Sequence, residues 1–373
     1  MAYTNIDDPS AHFQVATYTG NGSSQNITND GNSDLKPDLI WTKQLDANST
    51  DHVLANSSIG FDAPKGVGYP WESANSPYGG QLSSNSTGAE STPAATYGYV
   101  SAHLTDGFTV SAGGTNADNC NKNTKAFVGW QWKANGGTKA TNTTGSIDSI
   151  VQVNTTAGFS IIMYTGNATN STVGHGLGVQ PSVIINKKRA ATASWSVWHS
   201  ALLGTQLLEL NTAGAIATVA AIWNSTVPTS SVFSIGTDGQ TNSNNTTYVT
   251  YAFAEKQGYS KFGKYVGNAS ADGPFVYTGF KPAWVMIKGA DVADDWYIFD
   301  NKRAGYNPEV FRLRANTTGT ETTGTNNTVD HLSNGFKLRF TGGSINGSGS
   351  TYIYMAFAEN PFTTSTGIPT TAR

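Results

Sequence analysis

Paired carboxylates are the first groups to consider, because two of them facing each other across a cleft can cleave a glycosidic bond. Glu255 and Glu359 both end the segment AFAE. They stand at the same point of two repeated segments, and Lys133 takes that point in the first segment. We therefore expect the two glutamates to lie in different domains as charges at strand ends, with no carboxylate pair for hydrolysis.

Metal ligands and nucleophiles would need histidine and cysteine at particular spacings. No two of the six histidines form an H-x-x-x-H pair; they are His12, His52, His103, His175, His199 and His331. His175 lies in GHGLG (174–178), which lacks the G-x-G-x-x-G spacing of a phosphate loop, so we interpret it as a tight turn. Asp294 and Asp295 form a solvated hairpin tip or, alternatively, part of a calcium site.

The single cysteine, Cys120, lies in the polar loop NADNCNKNT without a fixed histidine partner, and it cannot form an intrachain disulfide. No G-x-S-x-G nucleophile elbow occurs. The sequence thus predicts a protein that is not an enzyme and that has no catalytic residues, no metal and no cofactor.

The composition favours strands over helices. Charged residues make up only 13% of the chain, and its 41 glycines, together with many Asn, Ser and Thr, are poor helix formers. Sixteen Tyr, sixteen Phe and nine Trp supply apolar area that suits pleated sheets. The fold class predicted from this composition is all-β.

Net charge and hydropathy exclude two classes of partner. The net charge is −3, and the only Lys/Arg cluster is Lys187-Lys188-Arg189, so we expect no nucleic-acid partner. No run of 18 apolar residues occurs, so we expect no membrane insertion. The first residues do not resemble a secretory signal, which predicts synthesis in a cytoplasm.

Six sequence markers recur in the same order three times. They are a strand ending in Gly-Asn, an octapeptide opened by proline, an aromatic strand, an Asn-Ser/Thr-x-Gly turn, a short Phe-containing strand and a final aromatic strand. Each copy is long enough for a core of its own. We predict three tandem, related β-sandwich domains of jelly-roll or lectin-like type, although the strand spacing does not exclude barrels: residues 1–150, residues 151–259, and residues 260–373 with a short polar C-terminal tail.

The octapeptide occurs as KPDLIWTK (36–43), QPSVIINK (180–187) and KPAWVMIK (281–288). Its prolines suit the start of a strand, because proline lacks an N–H group; they are Pro37, Pro181 and Pro282. In KPAWVMIK, Trp284 and Met286 face one way and Val285 and Ile287 the other, so both faces are apolar, which indicates a strand covered on both sides or one whose outer face meets a neighbouring domain or subunit. The closing lysines are expected to reach solvent, with a functional lysine as the alternative; they are Lys43, Lys187 and Lys288.

The first copy contains an insertion, residues 60–82, where the other two copies need only a short connection. Tyr69, Trp71 and Tyr78 lie in it among glycines and prolines. Long loops with such residues are often functional. Three interpretations stay open: a loop folded over its own domain, a contact with another subunit, or a receptor or sugar site.

The segments LGVQPSVIINKKRAATASWSVWHS (177–200) and SNGFKLRFTGGSINGSGSTYIYMAFAENPF (333–362) resemble an uncharacterised domain family of tailed-phage virion proteins. The resemblance covers about 13–362. The first copy departs most, with His52 where tryptophan is usual. The resemblance implies a lectin-like sandwich in a virion, often in a tail fibre, and it supplies no catalytic residues.

From the resemblance we expect a virion structural protein, a tail fibre or tail-associated subunit, made in the cytoplasm of a bacterial host and placed on the tail or capsid surface. Its expected partners are other virion proteins and a host-surface glycan. Apolar residues on both strand faces indicate a homo-oligomer, with a trimer favoured. The alternatives are a capsid decoration or cement protein and, less favoured, an enzyme that degrades polysaccharide.

Overall fold

The computed structural model describes residues 3–46, 50–59, 80–91, 97–113 and 119–370. These residues form antiparallel strands with very short helices, so the all-β prediction is confirmed. The helices of the described residues are a 3-10 turn, Pro9–Ala11, and two single turns, α1 (Gly239–Asn242) and α2 (Gly343–Asn346). None of them has the length needed to cross a membrane.

We divide the strands into three units, residues 3–134, 140–254 and 260–361. The first unit contains β1 (Phe13–Thr19), β2 (Gln25–Ile27), β3 (Leu39–Gln44), β4 (Val53–Asn56), β5 (Tyr99–His103), β6 (Phe108–Ser111) and β7 (Ala126–Trp132). The second contains β8 (Ala140–Asn142), β9 (Ser149–Asn154), β10 (Phe159–Thr165), β11 (Ser171–Gly174), β12 (Val183–Lys188), β13 (Ser196–His199), β14 (Gln206–Glu209), β15 (Ala217–Thr218), β16 (Val232–Ile235) and β17 (Thr247–Phe253). The third contains β18 (Ser260–Val266), β19 (Phe275–Tyr277), β20 (Phe280–Gly289), β21 (Trp296–Asp300), β22 (Leu313–Arg314), β23 (Val329–Leu332), β24 (Gly335–Leu338) and β25 (Thr351–Pro361).

The strand order is the same in all three units. In each main sheet, the strand before the Gly-Asn turn pairs with the last strand of the unit. The last strand pairs with the octapeptide strand, and the octapeptide strand pairs with the aromatic strand. The three orders are β1-β7-β3-β4, β10-β17-β12-β13 and β18-β25-β20-β21. Each unit adds a small second sheet: β2-β6-β5, β11-β16 and β19-β24-β23. In the second unit, β9 and β8 extend the main sheet beyond β10. The separation into three domains stays a prediction.

The Gly-Asn turn after each first strand has a local physical cause. In the first unit, a Cβ on Gly20 would lie 2.1 Å from the carbonyl oxygen of Lys122, so only glycine fits. The backbone N–H of Asn21 donates to Oδ1 of buried Asn121 at 3.0 Å. The other units repeat both contacts, with Gly166, Asn167 and Asn242, and with Gly267, Asn268 and Asn346.

In the first and third units the two faces of the main sheet serve two different cores, whereas in the second unit both faces belong to the larger core. In β20, Val285 and Ile287 pack in a core between the two sheets of the third unit. Trp284 and Met286, on the opposite face, pack in a larger core that includes residues of all three units. The alternation predicted for KPAWVMIK is therefore confirmed, and the outer face is covered inside the same chain.

The shared core centres on three aromatic residues that pair with the fourth residue of each octapeptide, so Ala134, and not Lys133 as expected, corresponds to Glu255 and Glu359. Trp132, Phe253 and Phe357 contact one another, with ring centroids 6.5 Å apart for Trp132–Phe253 and 5.7 Å apart for each of the other two pairs. All three are buried. The three main sheets therefore surround one approximately threefold centre.

The octapeptide lysines join the units, and the prediction that they reach solvent is wrong. All three are buried. Lys187 donates from Nζ to the carbonyl oxygens of Ala193 at 2.9 Å, Lys188 at 3.1 Å and Thr87 at 3.1 Å. Thr87 belongs to the Asn-Ser-Thr-Gly turn of the first unit, so Lys187 connects the second unit to the first.

The other two lysines close this set of contacts into a ring. Lys288 of the third unit donates to the carbonyl oxygen of Ala213 in the second unit's turn, and Lys43 of the first unit to that of Thr318 in the third unit's turn, each at 3.3 Å. Burial lowers the pKa of each lysine to about 8, so the ammonium group stays protonated at neutral pH. Neighbouring units cover the strand ends, and backbone carbonyls replace water around each charge.

The first residue of each aromatic strand also bonds to the preceding unit in this ring. Trp195 and Trp296 donate from Nε1 to the carbonyl oxygens of Ser83 and Glu209, at 2.9 and 3.0 Å. His52, which departs from the usual tryptophan, places Nε2 3.0 Å from the carbonyl oxygen of Arg314. Its Nδ1 accepts a hydrogen bond from Trp41, and burial holds its pKa well below the ordinary value, so neutral histidine replaces the indole as donor.

Lys187→Met tests whether these buried bonds hold the units together. The substitution removes one donor from each of three carbonyl oxygens, of which that of Thr87 still accepts the backbone N–H of Ala193, so we expect the free energy of unfolding to fall by roughly 2–4 kcal/mol. Lys264→Met, at an exposed lysine of β18, should change it by less than about 0.5 kcal/mol. Urea denaturation followed by tryptophan fluorescence measures both, and equal effects of the two variants would contradict the assignment.

Candidate functional site

An open cleft lies between the first and third units and has a volume of about 730 Å³. The first unit contributes β1 and the segment 30–32, and the third contributes β20, β25, β23 and the connection after β21. Its apolar floor is formed by Phe13, Val15, Ala283, Leu332 and Ala358. Because it lies between two units, its shape depends on their packing.

A register shift in β20 shapes one wall of the cleft. Pro282 pairs with Ala358 and Trp284 with Phe357, so Ala283 is an extra residue in the ladder. Such bulges bend a strand and redirect its side chains. Pro282 thus lies inside its strand at a bulge and not at the strand start predicted for it, whereas Pro37 and Pro181 each precede their strands by two residues.

The connection between β21 and β22, residues 301–312, supplies much of the other wall. It carries Lys302, Tyr306, Asn307 and Glu309, none of which the sequence analysis selected. The expectation of a short connection in the third copy is wrong: the second unit passes from β13 to β14 in six residues. The extra length, with a tyrosine beside Asn-Pro, was the signal in the sequence.

A buried ionic network holds the base of this connection. Arg303 donates from Nε to Oδ2 of Asp300 at 2.7 Å and from Nη1 to Oε1 of Glu321 at 2.8 Å. Trp130 of the first unit donates from Nε1 to the same Asp300 oxygen at 2.9 Å. Buried, hydrogen-bonded charges of this kind restrict movement, so the cleft wall is tied to both units.

Most charged groups at the rim are paired. Lys281 lies 2.7 Å from Oε2 of Glu359, which also accepts from Nδ2 of Asn301 at 2.7 Å. Lys302 lies 2.8 Å from Asp30 of the first unit, which joins the two sides of the cleft. The rim therefore presents neutralised ion pairs.

Deeper in the cleft, polar atoms lack hydrogen-bond partners within the described part of the protein. They are both ring nitrogens of His331, Oε1 of Glu309 and Oδ1 of Asn301. His331 is 6% exposed and Glu309 2% exposed. Burial, and secondarily the charge of Asp300, raises the pKa of Glu309 to about 8, while burial lowers the pKa of His331 to about 4. At neutral pH both groups are uncharged, and each can donate and accept a hydrogen bond.

Two glutamates, Glu309 and Glu359, line this one cleft. Glu309 was not among the carboxylates that the sequence singled out. Glu255 instead pairs with Lys261 at 2.8 Å and accepts the backbone N–H of Phe262. Glu309 lies 50 residues from Glu359 in sequence and does not belong to the repeat.

The other candidates of the sequence analysis have structural positions. Cys120 is buried, and burial raises the pKa of its thiol to about 12. Nδ1 of His175 accepts the backbone N–H of Leu177 at 3.1 Å in the irregular segment after β11. Asp295 accepts from Asn316 at 2.7 Å, within the third unit's turn. Among the described ranges no three His, Cys, Asp or Glu side chains are placed to hold a metal ion.

Tyr69, Trp71 and Tyr78 lie outside the described residues, so the three interpretations of the insertion stay predictions.

Comparison with known proteins gives one match. No curated protein and no solved structure matches the chain. The profile of a family described as a domain of unknown function, DUF7483, matches residues 8–361 and so spans all three units. The chain belongs to the DUF7483 family.

Proposed function

We propose that this chain is a structural and adhesive protein of a phage virion, a tail fibre or tail-associated subunit that contacts a glycan on the host surface. The observation that carries the adhesive part is the open polar cleft between two tightly joined units. A binding site built on strands keeps its geometry better than one on free loops. The virion part is supported by the sequence motifs that resemble tailed-phage proteins.

The partners proposed are other virion proteins and the host glycan. A homotrimer was expected from apolar residues on both faces of the octapeptide strands. Those faces are covered within one chain, by the small sheets on one side and by the shared core on the other. A homo-oligomer therefore stays a proposal that needs a different surface.

A second candidate is a capsid decoration protein. The observation that favours it is the approximately threefold arrangement of the chain, shown by the ring of lysine contacts. A chain with three similar faces is suited to a threefold-symmetric position of a shell. The presence of Glu309 and Glu359 on one cleft keeps polysaccharide hydrolysis as the third alternative.

Immunogold labelling of purified particles tests the place in the virion. An antibody raised against the purified chain should label the tail. Label on the head would replace the tail assignment with the decoration role. Particles without label, in a preparation where the antibody detects the free protein, would contradict a structural role in the virion.

Binding of the purified chain to host cells tests the adhesive role. Fluorescently labelled protein should bind the cells, and periodate oxidation of the surface glycans should lower that binding by at least about tenfold. Cells treated identically but without periodate serve as the control. Undiminished binding to oxidised cells, or no binding to either preparation, would rule out glycan adhesion.

A further inference from the structure

We propose that the cleft between the first and third units binds a neutral sugar unit, with His331 and Glu309 as its buried hydrogen-bonding groups and Tyr306 as an aromatic contact at its mouth. This inference deepens the proposed adhesive function and rests on it for the biological source of the sugar. The chemistry of the cleft residues carries the inference.

The size and lining of the cleft fit a small polyhydroxyl ligand. Its volume of about 730 Å³ lies within the usual range for small-molecule sites, roughly 300–1,000 Å³. Such sites combine apolar surface with a few convergent polar groups. Here Phe13, Val15 and Ala358 form apolar floor, and Asn301 and Asn307 place amides beside it.

The unpartnered atoms point to a ligand that both donates and accepts hydrogen bonds. Polar groups that are buried without a partner cost roughly 1–3 kcal/mol each. His331, Glu309 and Asn301 together present four such atoms in one cleft. A sugar hydroxyl has one donor and two acceptor sites and can satisfy either kind of group.

The first unit has a histidine, His103, at the position equivalent to His331. His331 pairs with Phe336 in the register of β23 and β24, and His103 of the first unit pairs with Phe108 at the matching point of β5 and β6. Nδ1 of His103 lies 2.8 Å from the carbonyl oxygen of Pro37. The first unit thus uses this histidine to bind its own backbone, whereas in the third unit the ring lines the cleft.

The charges of the cleft favour a neutral ligand over a phosphate, a sulfate or a uronate. Lys281 is paired with Glu359, and Lys302 with Asp30. An anion at either lysine would be repelled by the carboxylate that is already bonded to it. Behind the cleft, the guanidinium of Arg303 is paired with Asp300 and Glu321. A ligand of hydroxyl groups needs none of these pairs to break.

Tyr306 supplies a flat apolar surface at the mouth. It is 65% exposed, the most exposed of the large apolar and aromatic side chains in the described residues. Aromatic rings offer rigid contact area at low cost in conformational entropy, and the C–H face of a pyranose can pack on such a ring. Exposure also means that its removal should not affect folding.

The test is sugar binding by the full chain at pH 7, measured by saturation-transfer difference NMR. The probes are D-glucose, D-galactose, D-mannose and N-acetyl-D-glucosamine, with D-glucuronate as the anionic comparison. We expect at least one neutral sugar to bind. Tyr306→Ala and His331→Phe should each weaken that binding at least about tenfold, while Tyr97→Ala, at an exposed tyrosine outside the cleft, should leave it within about twofold.

The pH dependence gives an independent readout. Glu309 faces His331 and the two rim ion pairs, with Asp300, Arg303 and Glu321 behind it. Because its pKa is about 8, its carboxyl group loses its proton as pH rises from 7 to 9, and sugar binding should weaken over that range. In Glu309→Gln the amide cannot ionise, so binding should weaken less over that range, and the remaining change would come from Lys43, whose pKa is also about 8 and which joins the same two units. A weakening in Glu309→Gln as large as in the unchanged chain would contradict the assignment of Glu309.

Other outcomes would overturn the inference in distinguishable ways. Sugar binding unchanged in Tyr306→Ala and His331→Phe would place the site elsewhere and leave the adhesive function standing. A neutral-sugar binding site would be rejected if D-glucuronate alone bound, or if no neutral probe bound up to about 20 mM. It would also be rejected if the protein released new reducing ends from an oligosaccharide of the bound sugar, because that would show hydrolysis. Conversely, sugar binding in the cleft with no gold label on particles would reject the virion role and leave the site.

Discussion

Trp132, Phe253 and Phe357 come from the same position of three repeated strands and meet at one point, with ring centroids 5.7 to 6.5 Å apart. Each side chain closes the outer face of its own sheet only because the other two are present. Aromatic residues bury more apolar area than any other residue type, and this area is lost to water if one unit moves away. The three main sheets are therefore constrained to pack as one body, and the polar contacts between units depend on that constraint.

The polar contacts between units are arranged in a ring around the aromatic core. Lys43, Lys187 and Lys288 each bond to the turn of another unit, where burial would be costly without carbonyl acceptors. His52 shows that the chemistry matters more than residue identity, since its Nε2 takes the place of an indole N–H. The cleft lies where the third unit differs from the other two units. The longer connection of the third unit meets β1 there and leaves His331 and Glu309 lining the gap.

The sequence predicted the features that depend on neighbouring residues. Strands, Gly-Asn turns and the two apolar faces of KPAWVMIK follow from local chemistry, such as the close approach that requires Gly20. Contacts between units cannot be predicted from neighbouring residues in the same way. The sequence predicted solvent-exposed lysines because the end of a strand is exposed unless another unit covers it. Asp30 is far from Glu309 and His331 in sequence, so only the packing of the third unit against the first brings it to the same cleft.

The central claim is that the three units share one core and fold as one cooperative body. Differential scanning calorimetry of the intact chain tests it directly, because the ratio of calorimetric to van't Hoff enthalpy reports how many cooperative units unfold. A shared core predicts one transition with a ratio of about one. Separate transitions, or a ratio of about three, would show that the units unfold independently and would contradict the account.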